Sequence, residues 1–156
     1  MSMRTLAIDC GERRIGVALS DAGGKLATPY DVLQAVSPRQ SISQIIRIIE
    51  AEGVERIVVG LPLNMDGSSG PAAKKAVEFG RLLSCQSGRD VVFVDERLSS
   101  FQAEQQISAR RRSGEKITRK SKKRQLDAIA AAGFLQEFLD GKLPAETTPA
   151  ERGANG

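Results

Sequence analysis

The hydrophobic residues of this chain change their spacing from segment to segment, and the spacing predicts the secondary structure. Ile42, Ile45 and Ile49 recur at helical intervals on one face, whereas other apolar residues form short continuous runs typical of strands. The predicted elements are a hairpin at 5–10 and 14–20, a strand within 25–35, a helix at about 38–52, a strand at 56–60, a helix from Pro71 to about Cys85, a strand at 91–95, a helix from Ser99 or Ser100 to about Arg112, and a helix at about 122–140.

The order of these elements predicts the fold class. Three strands followed by alternating helices and strands favour an α/β fold, in which one mixed sheet is flanked by helices. A chain of 156 residues suits a single core, and we assign residues 1–140 to that domain. Residues 141–156, which are rich in Pro, Gly, Thr and Ala, are expected to form a disordered tail. Sites in such folds lie at the carboxyl ends of the parallel strands.

The composition excludes several kinds of chemistry. The chain contains no His, which excludes His-based triads and most zinc catalysis. Oxygen ligands remain, and these suit Mg²⁺ or Mn²⁺. No apolar run approaches the roughly 18 residues of a membrane span, and the N-terminus lacks the apolar core of a signal peptide. We therefore expect a cytoplasmic protein without a membrane partner, whose two Cys, Cys10 and Cys85, are reduced.

Positive charge is concentrated in one segment. Residues 110–124 contain nine Lys or Arg and one Glu, although the whole chain has a net charge of only +4. A solvated loop is the simpler interpretation, but so dense a run is better explained by a polyanion such as nucleic acid. The residues expected to contact nucleic acid are Arg13, Arg14, Asn64, Arg110, Arg111, Arg112, Lys120, Lys122, Lys123 and Arg124, although Asn64 could serve only to shape its loop.

Acidic residues follow two of the predicted strands. Asp9 lies at the end of the first strand, beside the turn that contains Gly11. Asp95 and Glu96 lie at the end of the strand at 91–95. Carboxylates that converge from separate elements suggest a divalent-metal site for phosphodiester chemistry. Asp9 alone could equally cap the hairpin turn. Since side chains alternate along a strand, only one of Asp95 and Glu96 can easily face such a site.

A third acid, Asp127, lies within the last predicted helix. Phe134 and Phe138 fall within about 20° of it around the helix axis, so we expect Asp127 to face the core. A buried carboxylate needs a partner. Two possibilities stay open, a salt bridge to Arg or Lys and a metal ion shared with Asp9.

Four ordered blocks of this sequence resemble the YqgF/RuvX family, whose members carry the names pre-16S rRNA nuclease and Holliday junction resolvase. The resemblance covers roughly residues 4–140. Two departures are Cys10, at a usually apolar position, and Gln125-Leu126, where a small or β-branched residue is expected before Asp127. The matching blocks are residues 9–21, 59–67, 95–100 and 123–131.

The resemblance implies an RNase H-like fold with a five-stranded mixed sheet flanked by helices. By position, its catalytic and metal-binding acids fall on Asp9, Glu96 and Asp127. It also implies a bacterial cytoplasmic protein that matures the 5′ end of 16S rRNA.

Three functions remain in competition. The leading one is a Mg²⁺- or Mn²⁺-dependent nuclease that acts on pre-16S rRNA or, alternatively, on branched DNA. The second is an ATP-binding phosphotransferase module, against which the length of the chain argues. The third is a non-catalytic RNA-binding assembly factor. The sequence allows a monomer or a homodimer, and resolution of a four-way junction would favour the symmetric dimer.

Overall fold

The computed structural model describes residues 3–64, 66–96 and 119–145, and residues 119–125 by their backbone only. The predicted helix at 99–112 lies outside these ranges. No helix within them is long and apolar enough to cross a membrane. The elements are β1 (Thr5–Cys10), β2 (Arg14–Ser20), β3 (Ala27–Gln34), α1 (Pro38–Glu52), β4 (Arg56–Leu61), α2 (Pro71–Ser87), β5 (Asp90–Asp95) and α3 (Arg119–Leu139).

The strands form one five-stranded sheet in the order β3-β2-β1-β4-β5. β1 and β2 pair antiparallel, as do β2 and β3, whereas β4 runs parallel to both β1 and β5. The predicted mixed sheet is therefore confirmed. Because β1, β4 and β5 are parallel, their carboxyl ends meet at one edge of the sheet. Asp9, Gly60 and Asp95 all lie at that edge.

Each face of the sheet packs against its own helices. Alternate residues of β1 illustrate the division, because Leu6 and Ile8 join one apolar cluster while Ala7 joins the other. The first cluster includes Ile45 of α1 and Leu83 of α2, and the second is formed with α3. The central strands are thus buried on both faces, which explains why their sequences are continuously apolar.

The helix ends follow local capping chemistry. Ser37 accepts a hydrogen bond from Gln40 N at 3.2 Å at the start of α1, and Pro38 occupies the first turn. Gly53 ends the helix with φ of 64°, in the left-handed region that favours glycine. The predicted bounds of α1 are confirmed. α2 runs two residues beyond the predicted Cys85, and α3 begins three residues before the predicted 122.

The chain stays packed beyond the end of α3. Gly141 follows the helix with φ of 78°, and Leu143 is only 3% exposed within the apolar cluster on the α3 side. The packed part of the chain therefore extends past residue 140, into the first residues of the expected tail. Residues 146–156 lie outside the described part of the chain.

The backbone of α3 packs tightly against the sheet at Gly16 of β2. A Cβ atom at Gly16 would overlap the backbone carbonyl group of Asp127 and would lie 3.0 Å from Ala128 N. Only glycine leaves room for the helix backbone at this point. Gly16 therefore fixes where Asp127 lies over the sheet.

Replacement of Gly16 with Ala should lower the free energy of unfolding by at least about 2 kcal/mol, because a new methyl group must displace helix backbone rather than a flexible side chain. Urea denaturation would measure the change. Gly23→Ala is the matched control, since a Cβ there would meet only Asp21 Oδ2 at 3.6 Å. Equal unfolding midpoints for the two variants would contradict the proposed packing constraint.

Candidate active site

Asp9 and Glu96 meet at the carboxyl edge of the sheet. Asp9 lies on the face of β1 that packs against α3, since its neighbours Ile8 and Cys10 point to the opposite cluster. Its side chain is hydrogen bonded to that of Glu96, which directly follows β5. The strand between them, β4, ends with Gly60 on the same face. A Cβ at Gly60 would lie 2.7 Å from Glu96 Cγ and 2.9 Å from Glu96 Cδ, so the absent side chain provides the space that Glu96 fills.

Asp127 joins this pair from above the sheet. Gly16 lies directly opposite Asp9 in the β1–β2 ladder, and the backbone of Asp127 rests on Gly16. Asp127 is also near enough to Asp9 to raise its pKa electrostatically. The structure therefore brings Asp9, Glu96 and Asp127 to one region, as expected from the sequence.

The surroundings of Asp9 favour its protonated form. Burial is the main reason why the pKa of Asp9 lies above its ordinary value, and the negative charge of Asp127 raises it further, while the hydrogen bond with Glu96 acts in the opposite direction. A hydrogen bond between two carboxyl groups requires a proton on one of them.

Asp127 is paired with Arg14. The Arg14 Nε donates to Asp127 Oδ2 at 2.7 Å, and the two side chains are 30% and 32% exposed. The expectation that Asp127 faces the core was therefore only partly right: Phe134 on the same helix face is fully buried, but the carboxylate stays at the solvent-accessible rim. The salt bridge that the sequence left open is present. Arg14, which we expected on nucleic acid, contacts an acid of the site, and its contact with nucleic acid stays a prediction.

Asp95 belongs to the other face of the sheet. Phe93 lies in the cluster beneath α1 and α2, while Val94 lies in the cluster beneath α3. Alternation therefore sends Asp95, which is 3% exposed, away from Asp9. Of the two neighbouring acids, Glu96 is the one that shares the face of Asp9.

The described part of the chain holds no group of three or more His, Cys, Asp or Glu residues already arranged to bind a metal ion. Two carboxyl groups, those of Asp9 and Glu96, are in contact, whereas Asp127 is engaged by Arg14. The three acids are therefore close to one another but are not yet arranged as ligands of one metal ion.

Of the other residues predicted to contact nucleic acid, two have side chains that the structure describes. Arg13 is exposed and directly precedes Arg14, and its backbone carbonyl accepts from Ala35 N at 2.9 Å. Asn64 shapes its own loop, because its Nδ2 donates to Ser68 Oγ at 3.0 Å and its carbonyl accepts from Gly67 N at 2.8 Å. Arg110, Arg111 and Arg112 lie outside the described residues, as do the side chains of Lys120, Lys122, Lys123 and Arg124.

Two contributors to the site were not recognised from the sequence. The pairing of Arg14 with Asp127 was missed, although alternation along β2 places Arg14 and Gly16 on one face. The space that Gly60 leaves for Glu96 was also missed, because a strand-end glycine has many possible roles. Cys10 faces the opposite cluster, and burial, followed by the charges of Asp9 and Glu96, raises the pKa of its thiol to about 12.

The architecture is that of an RNase H-like α/β protein. The structure of RuvC from Thermus thermophilus, solved in complex with a Holliday junction substrate, superposes with a TM-score of 0.56 at 13% identity. The superposition covers 92% of this chain and 99% of that one. At this level of identity the likeness establishes the fold, and the predicted fold class is confirmed.

The chain belongs to the RuvX family. The family model described as "RuvX: Holliday junction resolvase" matches residues 3–141. A relative from Chloroflexus aurantiacus named "Putative pre-16S rRNA nuclease" is 43% identical over 137 residues, which are 88% of this chain and 86% of the relative. A relative of the same name from Syntrophomonas wolfei is 40% identical over 139 residues, covering 89% and 95%. The resemblance drawn from the four sequence blocks is thereby confirmed.

Asp9→Asn should stabilise the folded protein at neutral pH in the presence of EDTA. Because the pKa of Asp9 is raised, the wild type carries no penalty below the ordinary value of 3.8 and a growing one as pH rises through the folded pKa. Asn carries no charge and can still donate to Glu96. The Tm of Asp9→Asn minus that of the wild type should therefore increase between about pH 4 and pH 8, by about 2–4 °C per kcal/mol relieved. If the Tm difference between Asp9→Asn and the wild type shrinks over this pH range, the ionised form of Asp9 does not destabilise the fold.

Proposed function

We propose that this protein is a divalent-metal-dependent nuclease that hydrolyses phosphodiester bonds. The observation that carries the proposal is the contact between Asp9 and Glu96, with Asp127 beside them, at the carboxyl edge of the sheet. Sites of α/β folds occur at this edge. Membership of the RuvX family and the names of its relatives support the same chemistry.

The residues present suit Mg²⁺ or Mn²⁺ by their donor chemistry. Asp9, Glu96 and Asp127 offer carboxylate oxygens, which hard cations prefer. The chain contains no His that could compete with them, and Cys10 packs on the opposite face of the sheet. A cation between Asp9 and Glu96 would take the place of the proton that their hydrogen bond requires. Bound there, the ion would supply Lewis acidity at the scissile phosphate and a more acidic attacking water.

The protein itself would supply position and charge. Asp9 and Glu96 are fixed by the ends of β1 and β5, which flank β4, and by the space at Gly60, so little ordering is required when a substrate arrives. Arg13 is exposed and precedes Arg14 in the chain, and it would hold the nucleic-acid backbone together with the basic residues between 110 and 124.

Pre-16S rRNA is the favoured substrate, and branched DNA is the alternative. The names of the relatives favour the first, whereas the description of the family model and the junction complex of the structural neighbour favour the second. Phosphate contacts serve both substrates, because they carry no sequence information. We place the activity in the cytoplasm and in a monomer or homodimer, and we assign it to a domain that includes residues 3–143.

A non-catalytic RNA-binding role is the second candidate. The observation that favours it is the ion pair of Asp127 with Arg14, since a structural acid would be satisfied in the same way. In that case the basic segment would bind RNA, and the three acids would contribute only to the fold.

A cleavage assay with matched acid variants separates these functions. Glu96→Gln and Asp9→Asn should reduce turnover by at least a hundredfold with Mg²⁺ or Mn²⁺, because each removes ligand charge at the reacting phosphate. Asp95→Asn alters the neighbouring acid on the opposite face and should leave turnover near the wild-type rate. The assay uses a 16S rRNA precursor and a four-way DNA junction in parallel.

Circular dichroism must show that all three variants are folded. Full activity of a folded Asp9→Asn protein would exclude metal-dependent catalysis at this site. If Asp95→Asn loses activity while Glu96→Gln keeps it, the active site lies on the face of the sheet that carries Asp95. Absence of cleavage of both substrates by the wild type, together with RNA binding, would favour the assembly factor.

A further inference from the structure

The contact between Arg14 and Asp127 is held rigidly at both ends. Arg14 begins β2, its carbonyl accepts from Gly11 N at 2.9 Å across the hairpin turn, and its strand partner is Gln34 of β3. Asp127 is fixed because its own backbone rests on Gly16. Because both backbones are already fixed, only side-chain entropy is lost when the two side chains pair.

The geometry of the pair engages only one carboxylate oxygen. Arg14 donates through Nε to Asp127 Oδ2 at 2.7 Å. It is the only partner of that carboxylate among residues whose side chains the structure describes. A carboxylate has two oxygens and about four lone-pair sites, so the second oxygen, Oδ1, keeps its capacity to bind a cation.

Stability alone does not explain the pair. With about a third of each side chain exposed, a salt bridge of this kind contributes only about 0–1 kcal/mol to folding. Its geometric effect is larger, because a short Asp side chain that is held by one oxygen has few orientations left for the other. The backbone of Asp127 rests on Gly16, which lies opposite Asp9, so the orientation of Oδ1 decides whether the three acids can act together.

We propose that Arg14 is a positioning residue that holds Asp127 by Oδ2, so that Oδ1 is the oxygen offered to a cation shared with Asp9 and Glu96. This inference rests on the proposed metal-dependent function and adds a residue to it. The contact with nucleic acid expected for Arg14 from the sequence stays a prediction beside it. The hydrogen bond, rather than the positive charge, is the feature of Arg14 that the site requires.

Two substitutions separate the hydrogen bond from the charge. In Arg14→Gln the amide Nε2 occupies the place of the arginine Nε, so the donor to Asp127 is kept while the charge is lost. In Arg14→Met a methyl group occupies that place, so both are lost. Arg13→Met removes a neighbouring exposed charge that does not pair with Asp127, and it controls for electrostatics.

The measurement is Mn²⁺ affinity, determined by titration with electron paramagnetic resonance in the absence of substrate. Loss of a positive charge alone should tighten Mn²⁺ binding or leave it unchanged, as in Arg13→Met and Arg14→Gln. Loss of the hydrogen bond should weaken binding, so Arg14→Met should bind Mn²⁺ about three- to tenfold more weakly than Arg14→Gln. Urea denaturation of the same variants verifies that they are folded.

Equal Mn²⁺ affinities for Arg14→Gln and Arg14→Met would overturn the positioning role, even if Arg14→Met were less stable. Two further variants, Asp9→Asn and Asp127→Asn, show whether the metal site itself is wrong or only the role of Arg14. If both lose Mn²⁺ affinity while the Gln and Met variants agree, the metal site stands and only the role of Arg14 fails. If neither loses affinity, or the wild type binds no Mn²⁺, the proposed metal site fails and this inference fails with it.

Discussion

The site depends on the packing of one helix backbone against one residue that has no side chain. Gly16 allows the carbonyl group of Asp127 to rest directly on β2, and no larger residue leaves that space. This contact sets the height of α3 above the sheet, and therefore the distance of the Asp127 side chain from Asp9, which lies opposite Gly16 in the ladder. It also brings Asp127 to Arg14, two residues earlier on the same face of β2. The helix that completes the second apolar cluster is thus also the helix that completes the group of acids.

A surplus of negative charge is held within a small region and is compensated in different ways. Asp9 and Glu96 share a hydrogen bond, and burial together with Asp127 raises the pKa of Asp9. Asp127 is compensated by the guanidinium group of Arg14. One described cation beside three acids leaves the region favourable for a divalent cation. The same arrangement accounts for the expected gain in stability when one acid is neutralised, since a functional site commonly carries electrostatic strain.

The sequence predicted the sheet closely because each strand carries a strong local signal. β1 and β2 are continuous apolar runs on either side of a turn whose closing bond, from Gly11 N to the Arg14 carbonyl, is local in the chain. Because side chains alternate along a strand, the sequence also showed that only one of Asp95 and Glu96 can easily face the site. The salt bridge between Arg14 and Asp127 could not be assigned from the sequence, because the two residues are 113 positions apart. They meet only because α3 packs on Gly16. For the same reason the partial exposure of Asp127 was missed: helix periodicity gives the direction of a side chain, but not how far the edge of the sheet extends beneath it.

Anomalous diffraction from crystals soaked in Mn²⁺ would show whether Asp9, Glu96 and Asp127 share a divalent cation. We expect one strong anomalous peak in contact with carboxylate oxygens of Asp9 and Glu96, with Asp127 turned toward it by Oδ1 while Oδ2 stays on Arg14. The same peak should be absent from crystals of Asp9→Asn. A well-ordered site without a peak at saturating Mn²⁺, or a peak that avoids Asp9 and Glu96, would mean that the three acids do not share a cation.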